Sequence, residues 1–256
     1  MTPMTAPNSA AGRSGGVESK RAIIVGASSG IGRELAIVLS QAGWSVGLMA
    51  RRHEELEETA RRMTSPGIVT VADLADVEAA QVRFAELMAQ LGGVELVVLS
   101  SGVGFLNPDL SWPEEQQTIA VNVTGCAALA GAAFREFERA GRGHLVGISS
   151  IAAIRGGAAA PAYGASKAFL SNYLEALRCR AIKKRLPIAV TDIQPGFVDT
   201  AMAKGEGKFW VASPQVAARQ IYGAILRRRR HAYVTRRWRL IAWLLRWLPE
   251  SLYARM

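Results

Sequence analysis

The sequence predicts an α/β protein: a doubly wound parallel sheet in a single domain, followed by a basic helical extension at the C-terminus. Three observations carry that expectation. Short, almost uniformly apolar segments alternate with amphipathic ones along most of the chain, as in strands buried on both faces and joined by crossover helices. The first apolar segment, RAIIV at 21–25, runs straight into a glycine- and serine-rich turn, GASSGIG, and then into a helical pattern. Finally, residues 1–200 hold 19 basic and 19 acidic side chains, whereas residues 201–256 hold 12 and 2, so the last fifth carries the whole formal charge of +10.

Residues 1–19 are mostly Gly, Ser, Ala and Pro without an apolar core of signal-peptide length, and read as a disordered tail. Strands are expected at 21–25, 45–49, 67–71, 94–99, 143–149, 187–193 and 231–234. Helical patterns fall near 31–42, 53–64, 76–91, 114–140, 161–185 and 214–228, with Asp76 as the N-cap of the third. No repeat or linker marks a second domain, and 256 residues suffice for one well-buried core. Cys126 and Cys179 lack metal-like spacing and read as reduced thiols in a reducing, cytoplasmic compartment, with no metal site. No uninterrupted apolar run approaches the roughly 20 residues of a bilayer-spanning helix.

The turn at 26–32 carries the first chemistry. Gly26, Gly30 and Gly32, with Ser28 and Ser29 among them, stand where a buried strand becomes a helix. Glycine lets the backbone approach a dinucleotide pyrophosphate, and the helix N-terminus offers free N–H groups and partial positive charge. The spacing is Gly-x-x-x-Gly-x-Gly, unlike the common Gly-x-Gly-x-x-Gly fingerprint. It resembles the cofactor loop of the short-chain dehydrogenase/reductase family, and the resemblance extends over residues 20–235. Val25 replaces the family's usual threonine.

The resemblance implies a Rossmann-like fold, a nicotinamide dinucleotide and further cofactor-binding residues. Ile31 belongs to the loop. At the end of the second strand, LMARR places Arg51 where NAD enzymes carry an acidic residue and NADP enzymes accommodate the 2′-phosphate; Arg52 follows. A guanidinium matches a phosphate bidentately, so the implied cofactor is NADP(H). Asp73 and Leu74 stand where the family contacts the adenine through a carboxylate and the next backbone N–H. After the fourth strand the family reads Asn-Asn-Ala-Gly; here Gly102 is kept, but Ser100 and Ser101 replace Asn-Ala, the asparagine that normally braces the central sheet being lost. After the sixth strand, Pro195 and Gly196 turn the chain over the nicotinamide, with Val198 and Thr200 also on the cofactor. Residues 201–212 match the family's mobile substrate lid, which would line the substrate side with Arg155 and the small-residue run 156–160.

Tyr163 and Lys167, four apart, share one face of a helix. Ser149 and Ser150 end the strand thirteen residues before, and Asn122 lies in the preceding helix. Reducing a carbonyl creates an alkoxide that must receive a proton. An ordinary phenol releases its proton only near pH 10; an ammonium close by and a cationic oxidised nicotinamide favour the phenolate. The resemblance gives Tyr163 the proton transfer, Ser150 the polarisation of the carbonyl, Lys167 the ammonium and the hold on the nicotinamide ribose, and Asn122 support of a water relay. Ser149 reads as packing or backbone bonding.

The tail departs from a plain reductase. Seven arginines lie between 227 and 239, and tryptophans stand at 238, 243 and 247. Residues 236–248 follow a helical pattern with Leu240, Ile241, Leu244, Leu245 and Leu248 beside Arg239 and Arg246. An interfacial helix on anionic lipid, a dimer contact and packing over the protein's own substrate cleft all fit. The apolar face argues against nucleic acid.

The resulting expectation is an NADP(H)-dependent oxidoreductase interconverting a carbonyl and an alcohol on a hydrophobic or lipid-linked small molecule. It would be cytoplasmic, with peripheral membrane contact through the tail, and homo-oligomeric as the family commonly is. The alternative is a catalytically silent NADP-binding regulator or membrane scaffold, against which the intact Ser150, Tyr163, Lys167 and Asn122 set speaks.

Overall fold

A computed structural model describes residues 20–200 and 209–255; the expected N-terminal tail and most of the expected lid, residues 201–208, lie outside the described residues. Seven strands form one sheet: β1 (Arg21–Val25), β2 (Ser45–Ala50), β3 (Ile68–Val71), β4 (Leu96–Leu99), β5 (Gly143–Ile148), β6 (Ile188–Pro195) and β7 (His231–Val234). All neighbouring strands pair parallel, in the order β3-β2-β1-β4-β5-β6-β7. The order reverses between β1 and β4, and ligands of such sheets bind beyond the strand ends at that switch point.

The helices are α1 (Gly30–Gln41), α2 (His53–Arg61), α3 (Val77–Gln90), α4 (Trp112–Ile119), α5 (Cys126–Ala140), α6 (Pro161–Lys183), α7 (Pro214–Leu226), α8 (Trp238–Trp247) and α9 (Glu250–Tyr253). Because successive strand residues point to opposite faces, each strand feeds two cores. Ile23, Val25, Val97 and Leu99 join Phe84 of α3, Phe137 of α5 and Leu174 of α6. Ala22, Ile24, Leu96 and Val98 join Leu35 of α1, Leu56 of α2 and Ile221 of α7 on the other face. Both faces are covered, which explains why the strands read as apolar throughout. Asp76 caps α3, accepting from the Ala79 N–H at 3.1 Å.

The expected helix 114–140 is a continuous helical run in which residues Ala120–Gly125 form a wider π-type turn. By length and composition this run could cross a bilayer, but Leu129, Ala133, Phe134 and Phe137 bury its apolar side in the core. Strand β6 extends to Pro195, two residues beyond the apolar pattern, because Gln194 and Pro195 pair with Tyr233 and Val234 of β7.

Candidate active site

The glycine loop leaves β1 at the switch point. Gly26 adopts φ +92, and any β-carbon there would lie 2.4 Å from the Ser101 nitrogen. A β-carbon on Gly32 would collide with the Gly26 carbonyl oxygen at 2.1 Å. Only glycine therefore lets strand, loop and helix close this tightly. The loop's carbonyls are engaged from behind: Thr59 Oγ1 donates to the Ala27 carbonyl at 3.0 Å, and Arg33 Nη2 donates to that of Ser28. Ser29 precedes α1 without making a side-chain cap, so the first-turn N–H groups of the helix keep their binding capacity. An anion fits this cradle, as the pyrophosphate of a dinucleotide requires. Ile31 is half-buried against the α1-side core.

The two sequence-assigned arginines take different partners, and Arg52, which also pairs with Glu55 at 3.3 Å, is the one that reaches the loop. Arg52 Nη2 donates to Ser28 Oγ at 3.0 Å and Ser29 Oγ at 2.8 Å. Arg51 forms an ion pair with Asp73 at 3.7 Å. Leu74 is buried beside Gly125, where a β-carbon would stand 2.3 Å from the Leu74 carbonyl oxygen. Thr200 also joins the loop, its Cγ2 standing 3.0 Å from where a Gly30 β-carbon would be. Val198 buries its side chain and bridges to Ala212, closing the base of the segment that carries Thr200.

The side chains expected to be catalytic lie about the ends of β4 and β5. Helix α6 starts with Pro161 in its first turn, where proline's missing N–H costs nothing. Tyr163 and Lys167 follow one turn apart. Lys167 is buried; its ammonium donates to the Ile148 carbonyl at 3.0 Å and lies 5.7 Å from the Tyr163 ring centroid. That bond ties α6 to the strand end bearing Ser149 and Ser150. A Gly102 β-carbon would stand 3.1 Å from Lys167 Nζ and 3.3 Å from Asn122 Oδ1, so the glycine admits both. Ser150 Oγ accepts from the Ala152 N–H at 3.1 Å, which uses an acceptor site and leaves its O–H proton to give. Ser149 instead bonds Asp192 Oδ1 and the Ile193 carbonyl, in keeping with a packing role.

Asn122 sits in the π-type turn, a feature that often marks functional positions. Its Oδ1 accepts from the Val103 N–H and its Nδ2 donates to the Val103 carbonyl, both at 2.8 Å. It also donates to Ser166 Oγ at 3.0 Å. The side chain therefore braces the strand-end loop whose family asparagine is missing. Sequence reasoning did not reach this bracing, nor Arg33 and Thr59 behind the loop. It also missed the buried Asp192, which gathers Ser149, Ser171 and Gln194. A polar residue within an apolar strand was the one available signal for Asp192.

An apolar cavity of about 220 Å³ adjoins the site. Ile151 and Ala152, just past Ser150, and Phe197, just past Gly196, form one side; Phe209, Trp238, Ile241, Leu245 and Tyr253 enclose the rest. Trp238 packs against Gly196, where a β-carbon would overlap the indole. Arg155 lines the cavity too, but its guanidinium donates to the Leu245 and Leu248 carbonyls at 3.1 and 2.8 Å. It fastens α8 rather than standing free on the substrate side.

Comparison with known proteins decides the family. The family model for short chain dehydrogenase matches residues 20–209. The chain belongs to the short-chain dehydrogenase/reductase family. It is 38% identical over 188 residues to an "uncharacterized oxidoreductase" of Myxococcus xanthus, covering 72% of this chain and 74% of that one. It is 32% identical over 223 residues to another from Mycobacterium tuberculosis, covering 83% and 87%. A short-chain dehydrogenase from Streptomyces avermitilis superimposes with a TM-score of 0.74 at 25% identity, covering 84% and 88%. This short-chain dehydrogenase/reductase is accordingly an oxidoreductase acting on a small molecule, with a nicotinamide cofactor as its family uses.

Proposed function

We propose that the protein is an NADP(H)-dependent reductase or dehydrogenase interconverting a carbonyl and an alcohol on a hydrophobic substrate. The observation that carries the reading is the Lys167–Ile148 bond, which ties the helix bearing Tyr163 and Lys167 to the end of the interior strand that leads into Ser150. When bound, NADPH would supply the hydride that the carbonyl carbon needs. Ser150 donates its free hydroxyl proton as a hydrogen bond to the substrate oxygen, stabilising the charge that develops there. Tyr163 delivers its phenolic proton to that oxygen. Lys167 keeps a positive charge beside the ring, and Asn122 supports the relay behind it by holding the Val103 backbone. Gly26, Ser28, Ser29, Gly30, Ile31 and Gly32 would hold the pyrophosphate, and Arg51 and Arg52 the 2′-phosphate. A carboxylate in their place would repel that phosphate. Asp73 and Leu74 would flank the adenine; Gly102, Pro195, Gly196, Val198 and Thr200 would wall the nicotinamide side.

The apolar walls of the cavity support a hydrophobic substrate, and the exposed face of α8 supports contact with a membrane surface. The silent-regulator alternative is disfavoured by Ser150, whose donor proton has no acceptor among the described residues. NADPH consumption against ketones ranging from short and polar to long-chain and apolar tests the reading. Turnover should rise with apolar chain length, and no turnover across the whole range would contradict it.

A further inference from the structure

We propose that the outer face of α8 docks on an anionic bilayer surface and so holds the apolar cavity at the lipid interface. The proposal rests on reading that cavity as the substrate site. The helix is two-faced. Trp238 and Ala242 are buried, and Ile241 and Leu245 line the cavity. Leu240, Trp243, Leu244 and Trp247, spaced i, i+3, i+4, i+7, form the opposite stripe, with Trp243 65% and Trp247 74% exposed. A helix apolar on both sides is ordinarily covered on both. This one is covered on one side only, and it is no loose tail: Arg155 pins its C-terminal carbonyls and lies over Tyr253 of α9.

Charge selects the occupant. Arg236, Arg237 and Arg239 at one end of α8 and Arg246 at the other are exposed, and the run Arg227–Arg230 lies just upstream. Within residues 209–255 the sole acidic side chain is Glu250. A second copy seated on the stripe by twofold symmetry would set these arginines against their own equivalents. Anionic headgroups neutralise them instead, while tryptophan settles at the boundary of headgroup and acyl chain. Ten residues of helix span only about 15 Å, half a bilayer core, so the helix lies in the interface plane.

The test uses the full chain, sedimented with phosphatidylcholine vesicles with and without phosphatidylserine. The wild type should pellet with the anionic vesicles, and raising salt should weaken binding without abolishing it, since charge is screened and apolar burial is not. Trp243→Glu/Trp247→Glu should bind about tenfold more weakly or less, and Arg236→Gln/Arg239→Gln/Arg246→Gln should fail likewise. Both variants should reduce a water-soluble ketone at the wild-type rate, which also shows that they fold, yet lag on a long-chain ketone presented in the vesicles. Wild-type protein left in the supernatant, undiminished binding by both variants, or a change of solution mass without lipid binding would each overturn the proposal. Vesicle binding lost in the variants, with no ketone reduced by any form, upholds the docking and overturns the substrate reading.

Discussion

Arg52 reaches across from the end of β2 to both serines of the glycine loop, while Arg51 faces Asp73. The two guanidiniums thus follow one strand end, each with a carboxylate beside it, Asp73 for Arg51 and Glu55 for Arg52. A charged hydrogen bond to phosphate is worth about 1.5–3 kcal/mol, so NADPH should bind at least about tenfold more tightly than NADH. In fluorescence titration Arg51→Asp should narrow or reverse that ratio, and equal affinities in the wild type would contradict the 2′-phosphate assignment. That Tyr163 and Lys167 share one helix face was legible from periodicity, whereas Ser150 entered through its offset in the family motif. Thr59 and Asp192 were not legible, because each acquires its role from a partner distant in the chain; Arg33 was not, because its bond to Ser28, five residues away, depends on how the loop folds back. Asn122 was legible as a position but not as a brace, since the Val103 backbone it holds is visible only in the fold.

The elements were more legible than the side-chain roles. All seven strands stand within two residues of expectation because a sheet covered on both faces demands unbroken apolar runs. The exceptions are instructive: β6 carries Thr191, Asp192 and Gln194 into the interior, where Thr191 and Asp192 are satisfied by tertiary hydrogen bonds that no pattern displays and Gln194 donates to Ser171 while its Oε1 has no partner among the described residues. The C-terminal helix is legible as amphipathic, yet its partner is decided by Arg155, ninety residues away from Leu245. Arg155→Ala should release two carbonyls and loosen α8 over the cavity. The lost charged bonds, about 1.5–3 kcal/mol, should lower Tm by several degrees and raise KM for an apolar ketone more than they lower kcat. An unchanged Tm and KM would mean that α8 is held by its apolar contacts alone.

The charge asymmetry and the pH response belong to the molecule as a whole. His144 of β5 is held at about 4, well below an ordinary imidazole, by burial and by the nearby Arg228. The unfolded chain takes up this proton as pH falls through about 6.5, the native protein only near 4. Its neutral form therefore contributes stability that is whole above pH 6.5 and is lost progressively down to pH 4, by about 3 kcal/mol. Burial lowers His231 in the same direction. Glu138, held at about 2 by Arg180 and Lys184, adds a further loss only below pH 4.5. Urea denaturation across pH 7 to 4 should show this slope, and His144→Gln, which keeps a donor for Thr191, should flatten it; an equal slope in the variant would contradict the assignment. Carbonyl reduction through Tyr163 is checked most directly by the phenylalanine variant. Tyr163→Phe should bind NADPH nearly as the wild type does, because the loop and arginines hold the cofactor, while turnover of the preferred ketone falls about 10²–10⁴-fold. Turnover within a few-fold of wild type would show that another group supplies the proton and that the site has been misassigned.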